Sequence, residues 1–257
     1  MLWYMGTHEP SWLRRTSVPL FVSARRLRRL KTLPQAQYGW ALDSGGFTEL
    51  SLRGWWMVPA MSYSTQVRGW RDRIGRMAWA APQDWMCEPW VVQKTGLSVL
   101  EHQRKTVANY LLLRQLAPDL PWIPVLQGWA IPDYLRHIEM YGDRGVDLTT
   151  CDVVGLGSVC RRQATTEIAE LVHELWLRGL KLHGFGLKTL GLRRCWQWLA
   201  SADSLAWSYA ARRSDPLPGC THQSCANCLR YALAWRADLL AGLPRETQGM
   251  IPYTLEA

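Results

Sequence analysis

Short apolar runs alternate with segments of helical periodicity along the chain. The apolar runs predict eight strands, at residues 1–6, 19–23, 39–47, 77–85, 122–129, 152–159, 180–186 and 202–208. Helices are predicted between most of them, at residues 24–33, 64–77, 98–116, 132–141, 166–178 and 188–200. Ser98 and Glu101 predict a capping box at the start of the helix 98–116. Eight strands that alternate with helices are the pattern of a (β/α)8 TIM-like barrel, which is therefore the expected fold of this α/β protein.

Polar residues and glycines follow the ends of most of the predicted strands. The positions are Asp43, Asp84, Gln127, Gly157, Gly186 and Asp203. The carboxyl ends of the strands form the active site of a (β/α)8 barrel, so these groups should face one shared pocket. A flat doubly wound sheet is the alternative, but it binds its ligand at a single switch point. His183, inside the predicted strand 180–186, is expected in the core or at the pocket floor.

Length and composition bound the organisation of the protein. The chain has 257 residues, of which 48% are hydrophobic, enough for one large core. We expect a single barrel domain over residues 1–257, with a small metal-binding subdomain at about 216–240. No apolar run approaches the roughly 20 residues that span a bilayer, and the N-terminus lacks the pattern of a secretory signal. A cytoplasmic protein with reduced thiols and no membrane partner is predicted.

The net charge changes the expected partner. Lysine and arginine outnumber the acidic residues to give a formal charge of +9, and most of the excess is arginine. A basic protein attracts polyanions, which makes nucleic acid the leading partner. A solvated basic surface without a partner is the alternative. The 16 tryptophans will mostly be core residues, although exposed tryptophan beside arginine can stack on unpaired bases.

A dense group of potential metal ligands lies near the C-terminus. Its members, all within nine residues, are Cys220, His222, Cys225 and Cys228. Thiolates and an imidazole at this spacing close a tetrahedral Zn²⁺ site without an open position, which is structural rather than catalytic. Buried reduced cysteines are one alternative. An independent zinc finger is another, but no basic recognition helix accompanies the group.

Several motifs together resemble those of the tRNA-guanine transglycosylase superfamily. In chain order they are DSGGF at 43–47, QDW at 83–85, LQG at 126–128, GLGS at 155–158, an aspartate on the last predicted strand and the Cys/His group. The resemblance covers about residues 39–235. The form of the last predicted strand, ADSLAWS, and the Cys/His group make it closest to the DpdA-like branch, which inserts 7-deazaguanine bases into DNA.

The resemblance implies two catalytic carboxylates. Asp203 matches the family's nucleophile, which attacks the anomeric carbon and forms a covalent glycosyl-enzyme intermediate. Asp43 matches the residue that moves protons as the two bases exchange. Each position also has a purely structural explanation. Asp203 could be a helix N-cap or turn residue, and Asp43 could form an Asx turn before the two glycines that follow it.

The resemblance also implies a site for a guanine-like base. Asp84 would accept from the ring N–H and the exocyclic amine, while Gln127 and the backbone of Gly157 would donate to the carbonyl oxygen. Three further residues of the same motifs are assigned to base binding, namely Ser44, Gly45 and Gly128. Asp84 could instead be a solvated loop residue, Gln127 could satisfy backbone groups, and Glu88 could compete for the role of Asp84.

Base exchange in a duplex requires the target base to be flipped into the pocket. Candidate contacts to the DNA backbone are Arg25, Arg26, Arg161, Arg162, Arg212 and Arg213. Three places depart from the family pattern, namely the sequence QDWMCEP around Asp84, Trp129, where the family has a second glycine, and residues 209–219. All three concern the base that is bound rather than the type of reaction.

The resemblance therefore implies a DNA-guanine transglycosylase that exchanges guanine for a preQ0-like 7-deazaguanine base and carries a structural Zn²⁺. Its partners would be DNA and the free base, with a partner protein or a homodimer as further expectations. A bacterial or phage-encoded source is also expected. The same chemistry on tRNA is one alternative. The other alternative is a nucleic-acid-binding protein that a zinc ion stabilises and that has lost catalysis.

Overall fold

The computed structural model describes residues 1–160, 162 and 166–244. Its strands are β1 Leu2–Thr7, β2 Leu20–Ser23, β3 Trp40–Asp43, β4 Met77–Ala80, β5 Val125–Leu126, β6 Val154–Leu156, β7 Leu182–Gly184 and β8 Leu199–Ser204. They form one sheet in the order β4-β3-β2-β1-β8-β7-β6-β5. The pairs are parallel, so every carboxyl end lies at the same edge. Each of the eight predicted strands overlaps one of these.

Helices connect most of the strands. They are α1 Ala24–Leu27, α2 Gly46–Arg53, α3 Ala60–Ile74, α4 Pro89–Thr95, α5 Val99–Leu116, α6 Ile131–Gly142, α7 Thr166–Leu177, α8 Thr189–Cys195, α9 Ala206–Ala211 and α10 Leu229–Ala241. The predicted capping box of α5 is confirmed, because Ser98 and Glu101 each bond the other's backbone N–H. None of the described helices is long and apolar enough to cross a membrane.

The sheet curls but does not close into the predicted barrel. Among the described residues, β4 and β5 share no ladder, and a single bridge joins Ala80 to Trp122. The amide of Ala80 donates to the carbonyl of Pro121 at 2.9 Å, and Ile123 donates back at 3.2 Å. Pro121 and Pro124 have no N–H to continue the pairing, which keeps β5 short. The closed (β/α)8 barrel is corrected to an eight-stranded parallel half-barrel of the α/β class.

Aromatic rings fill the inside of the curl. Trp79 on β4 lies 4.6 Å from the ring of His183 on β7, so the two sides of the sheet meet across its interior. Phe21 and Tyr4 complete this layer from β2 and β1. A second and larger core lies between the sheet and the outer helices. Open space lies above the inner layer, at the carboxyl ends of the strands.

Two strands end earlier than predicted because a helix begins inside the predicted range. The predicted strand 39–47 ends at Asp43, and α2 starts at Gly46 after Gly45 adopts a φ of 84°. The predicted strand 202–208 ends at Ser204, whose hydroxyl accepts from the N–H of Ala206 at 3.1 Å as α9 begins. In both places a catalytic candidate, Asp43 or Asp203, lies at or near the end of a strand, three residues before a helix begins.

Candidate active site

A cavity of about 420 Å³ opens at the carboxyl ends of the strands. Small-molecule sites commonly measure about 300–1,000 Å³. The predicted site residues that line it are Asp43, Ser44, Asp84, Gln127, Gly157, Asp203, Arg25 and Arg26. Phe21 and Phe185, from the inner aromatic layer, form part of its wall. Residues that lie far apart in the chain therefore meet in one concave site.

Asp203, near the end of β8, has one carboxylate oxygen held by surrounding groups. Its Oδ1 accepts from the N–H of Gly186 at 2.9 Å, and Nε2 of His183 lies 3.4 Å away. The residue is 6% exposed and borders the cavity. Ser204, rather than Asp203, accepts the free N–H at the start of α9. The carboxylate is thus not an N-cap, and no such contact holds its second oxygen among the described residues.

Asp43 combines the two explanations considered for it. Its carboxylate accepts from the N–H of Gly45, as an Asx turn does, and from the hydroxyl of Ser23. It also lines the cavity. Burial raises the pKa of Asp43 because it disfavours the charged form, and the nearby charge of Asp203 adds to this rise. A raised pKa favours the protonated form, which a group that donates a proton requires.

Asp84 and Gln127 form a buried polar pair on the opposite side of the cavity. The amide Nε2 of Gln127 donates to Oδ2 of Asp84, and the Ser44 hydroxyl lies 3.4 Å from Oδ1. Burial raises the pKa of Asp84 to about 7, although the bond from Gln127 opposes the rise. Asp84 is 8% exposed, so it is not a solvated loop residue. Its carboxylate faces the cavity with an amide beside it.

Backbone contacts of Gln127 set the position of its amide. Its N–H donates to Nδ1 of His137 at 2.8 Å, and its carbonyl accepts from Gln103 at 2.7 Å. The side-chain amide packs directly on Gly157, where an added Cβ would lie 2.2 Å from Nε2. Only glycine fits at this position, since any side chain would displace the amide from Asp84.

Two predicted base-binding glycines do not line the cavity. Gly45 lies behind Asp43, with its missing Cβ directed at Arg25, 2.7 Å from Cγ. Gly128 packs against α6, where a Cβ would lie 2.8 Å from Cβ of Asp133. Both glycines allow close packing that positions their neighbours, but neither is among the residues that form the cavity wall.

Glu88 and Ser158 also line the cavity, although the family motifs imply no primary catalytic or base-binding role for either. Glu88, named only as a competitor of Asp84, is 2% exposed and lies 2.9 Å from the hydroxyl of Ser158. Ser158 has a φ of 56°, which is uncommon for a residue with a side chain. Its hydroxyl donates to Gln127 and accepts from the N–H of Cys87. The sequence contained a signal for Ser158, because this residue ends the GLGS motif at the carboxyl end of a predicted strand.

The six candidate arginines occupy different environments. Arg25 and Arg26 line the cavity, and Arg25 also donates to the hydroxyl of Thr48 at 2.7 Å. Arg212 and Arg213 are exposed after α9, and the Arg213 guanidinium lies 3.5 Å from the ring centre of Tyr209. These four basic side chains lie at or after the carboxyl ends of strands.

Arg162 is engaged within the protein. It forms an ion pair with Glu167, donates to the carbonyl of Trp129 and lies 4.1 Å from the centre of the Trp129 ring. Its side chain is only 13% exposed, which leaves little of it for a phosphate. Arg161 lies outside the described residues. Trp129, the departure from the family pattern, therefore serves as a stacking surface for an arginine.

The Cys/His group of the sequence comes together in space. The ligand atoms of Cys220, His222, Cys225 and Cys228 all lie within 4.8 Å of one another and could hold a metal ion. The Cys220 sulfur lies 3.8 Å from that of Cys225 and 4.0 Å from that of Cys228. Tetrahedral zinc with bonds of about 2.3 Å places its sulfurs about 3.8 Å apart. The donor set and spacing fit a closed zinc site.

Hydrogen bonds connect this cluster to the helix that follows Asp203. The Ser208 hydroxyl on α9 donates to the carbonyl of Ala226 at 2.8 Å, and Ser224 donates to the carbonyl of Ala211 at 3.1 Å. The cluster lies between α9 and α10. A bound metal would therefore hold the start of α10 against the helix that begins three residues after Asp203.

Comparison with known proteins gives one informative match. A family model described as DpdA, DeoxyPurine in DNA protein A, matches residues 1–251. The matched region includes every residue of the cavity and the whole Cys/His cluster. Among curated proteins, none matches the chain.

Proposed function

The chain belongs to the DeoxyPurine in DNA protein A family, and on this premise we propose that it exchanges guanine in DNA for a 7-deazaguanine base. The observation that carries the proposal is the convergence of three aspartates on one cavity, with Asp203, Asp43 and Asp84 in different surroundings. Base exchange needs a group to hold the sugar, a group to move protons and a group to bind the base. The cavity supplies a candidate for each.

The first half of the reaction removes guanine. Oδ2 of Asp203 attacks C1′ of the flipped nucleotide, and the C1′–N9 bond breaks as the new C–O bond forms. The electron pair of the broken bond leaves with the guanine, which takes a proton from Asp43. The product is a glycosyl ester of Asp203 that keeps the DNA strand covalently attached.

The second half installs the new base. Asp43, now a carboxylate, removes the N9 proton of the incoming 7-deazaguanine, and N9 attacks C1′. The C1′–O bond breaks and its electron pair returns to Asp203. The raised pKa of Asp43 suits a group that must both give and take a proton.

Asp84 and Gln127 would recognise the base edge. The ionised Asp84 accepts from the ring N–H and the exocyclic amine, which are present in guanine and in a guanine-like 7-deazapurine. The second N–H of the Gln127 amide can donate to the carbonyl oxygen. The backbone N–H of Gly157, the other expected donor, already donates to the carbonyl of Leu126 at 3.0 Å, so Gly157 acts by giving the Gln127 amide its place. The shared edge explains how one pocket would bind both the leaving and the entering base.

DNA must present the nucleotide outside its helix, at a cost of a few kcal/mol. Arg25 and Arg26 at the cavity, together with the exposed Arg212 and Arg213, would contact the adjoining phosphates. A structural zinc ion held by Cys220, His222, Cys225 and Cys228 would brace α9 behind the nucleophile.

The test is to trap the covalent adduct. Incubation with duplex DNA and denaturing electrophoresis should reveal a protein–DNA species that Asp203→Asn abolishes, with exchange lowered at least about 10³-fold. Asp152→Asn is the matched control, because the Asp152 side chain is fully exposed. Labelled 7-deazaguanine should enter duplex DNA. Label in tRNA alone would support the tRNA alternative, and an Asp203→Asn variant with full biological effect would support a non-catalytic binding protein.

A further inference from the structure

His183 is a buried polar side chain that the proposed reaction does not yet use. It is 0% exposed, and its Nε2 has no well-aligned hydrogen bond with any described residue. That atom lies 3.4 Å from Oδ1 of Asp203. An unsatisfied buried nitrogen is costly, and its placement against the candidate nucleophile requires an explanation.

The structure assigns His183 as a positioning residue that donates from Nε2 to Oδ1 of Asp203, so that Oδ2 is the oxygen that attacks the sugar. This inference rests on the proposed function and deepens it. Together with the N–H of Gly186, it gives Oδ1 two donors on the side away from the substrate. A carboxylate held at one oxygen can rotate little, which preserves the attack geometry of the other.

The hydrogen bonding of His183 selects the required tautomer. Its Nδ1 lies 2.8 Å from the hydroxyl of Ser201, which can donate as well as accept. A proton on Nδ1 would leave the Nε2 lone pair facing the Asp203 carboxylate, which is repulsive. A proton on Nε2 instead faces Oδ1, while Ser201 donates to Nδ1. The second arrangement satisfies all three groups.

Aromatic rings hold the imidazole in this orientation. The rings of Tyr4, Phe21, Trp79 and Phe185 surround it, with centroid distances of 4.6–5.8 Å. They exclude water, so the polar contact to Asp203 acts in a medium of low dielectric constant. The 3.4 Å separation leaves room for the contact to tighten, as catalytic hydrogen bonds do when substrate binds.

The geometry distinguishes the two halves of the reaction. When the C1′–Oδ2 bond breaks in the second half, negative charge returns to the carboxylate and spreads to Oδ1, where the two donors lie. A donor aimed at developing charge stabilises that transition state. In the first half, His183 also stabilises the ionised Asp203 carboxylate before it attacks, so it lowers the barrier to adduct formation by less. His183 should therefore matter more for resolving the adduct than for forming it.

The experiment measures the two half-reactions separately in His183→Leu and His183→Gln. In His183→Leu, resolution of a preformed adduct by 7-deazaguanine should slow about 10- to 100-fold, formation should slow less, and KM for the free base should not change. In His183→Gln, whose amide reaches near the Nε2 position, much of the rate should return. His173→Leu is the control, because His173 packs on Trp176 and Trp198 at the outside of the sheet.

Ser201→Ala keeps the proposal testable if His183→Leu does not fold. It removes only the hydroxyl that supports the Nε2–H tautomer by donating to Nδ1, and resolution of the adduct should slow about threefold or more. Equal rates in wild type and Ser201→Ala, or a His183→Gln variant no faster than His183→Leu, would overturn the positioning role. If Asp203→Asn still forms the adduct, the proposed nucleophile itself is wrong, which is a separate outcome.

Discussion

An aspartate lies on each of two sides of the cavity, and the surroundings of the two carboxylates differ. On the β7–β8 side, Asp203 has one oxygen held by the N–H of Gly186 and faced by His183. On the β4–β5 side, Asp84 is bonded by the amide of Gln127, and burial raises its pKa to about 7. Asp43, on β3, lies between them with a raised pKa.

The difference teaches that surroundings, rather than residue type, assign the roles. A carboxylate held at one oxygen is suited to nucleophilic attack by the other. A buried carboxylate beside an amide is suited to reading the donor edge of a base. The β8 side also has a brace, since the Cys/His cluster bonds to α9. Perturbing each side should therefore change a different measurable step.

Among the changes that test this comparison, the largest effect is expected at Asp43, which lies between the two sides. Asp43→Asn keeps an acceptor for the N–H of Gly45 but cannot move a proton, so both half-reactions should slow about 10³-fold. Affinity for the free base should change less than about twofold, because Asp84 is intact. Single-turnover kinetics and calorimetric titration measure the two quantities. A large loss of affinity with normal rates would place Asp43 on the base-binding side instead.

A smaller effect is expected from pH on base binding. The base edge needs ionised Asp84, whose pKa is raised to about 7, so affinity should fall as pH decreases through this value. Between pH 8 and pH 5.5 the ionised fraction decreases about 30-fold, and affinity should follow. Asp84→Asn should bind weakly and without this dependence. An unchanged pH profile in Asp84→Asn would assign the titration to another group.

The raised pKa of Asp84 also predicts the direction in which the stability of the protein changes with pH. The pKa of Asp84 is higher in the folded state than in the unfolded chain, so the folded protein binds more protons between about pH 4 and pH 7. Its contribution to stability is therefore lost as pH rises through that window. Asp84→Asn should flatten this part of the profile, measured as the midpoint of thermal unfolding.

The smallest effect on chemistry is expected at the metal cluster. Cys225→Ser should release the metal, measured by elemental analysis, and lower the unfolding midpoint by about 5–10 °C, as a loss of about 3 kcal/mol would. Exchange should fall only a few-fold, since no cluster residue lines the cavity. Cys151→Ser is the control, because Cys151 lies outside the cluster. A loss as large as that of Asp43→Asn would make the cluster part of the reaction centre.

Local sequence patterns predicted the features that depend on residues close together in the chain. Apolar runs predicted all eight strands, the capping box of α5 followed from Ser98 and Glu101, and the ligand spacing predicted a metal cluster. Motif order predicted a group of residues that meet in one cavity, namely Asp43, Asp84, Gln127, Gly157 and Asp203. Each of these depends on neighbours within a few residues, or on the rule that parallel strands share their carboxyl edge.

Tertiary packing decided the rest. The sequence of the chain determined eight strands, the carboxylates at their ends and the Cys/His ligand set. Only the folded structure left the sheet open between β4 and β5, moved Gly45 and Gly128 out of the cavity wall, and brought Glu88 and Ser158 into it. It also placed His183 against Asp203. These outcomes depend on contacts between residues distant in the chain, where the curl of the sheet and side-chain packing set the distances.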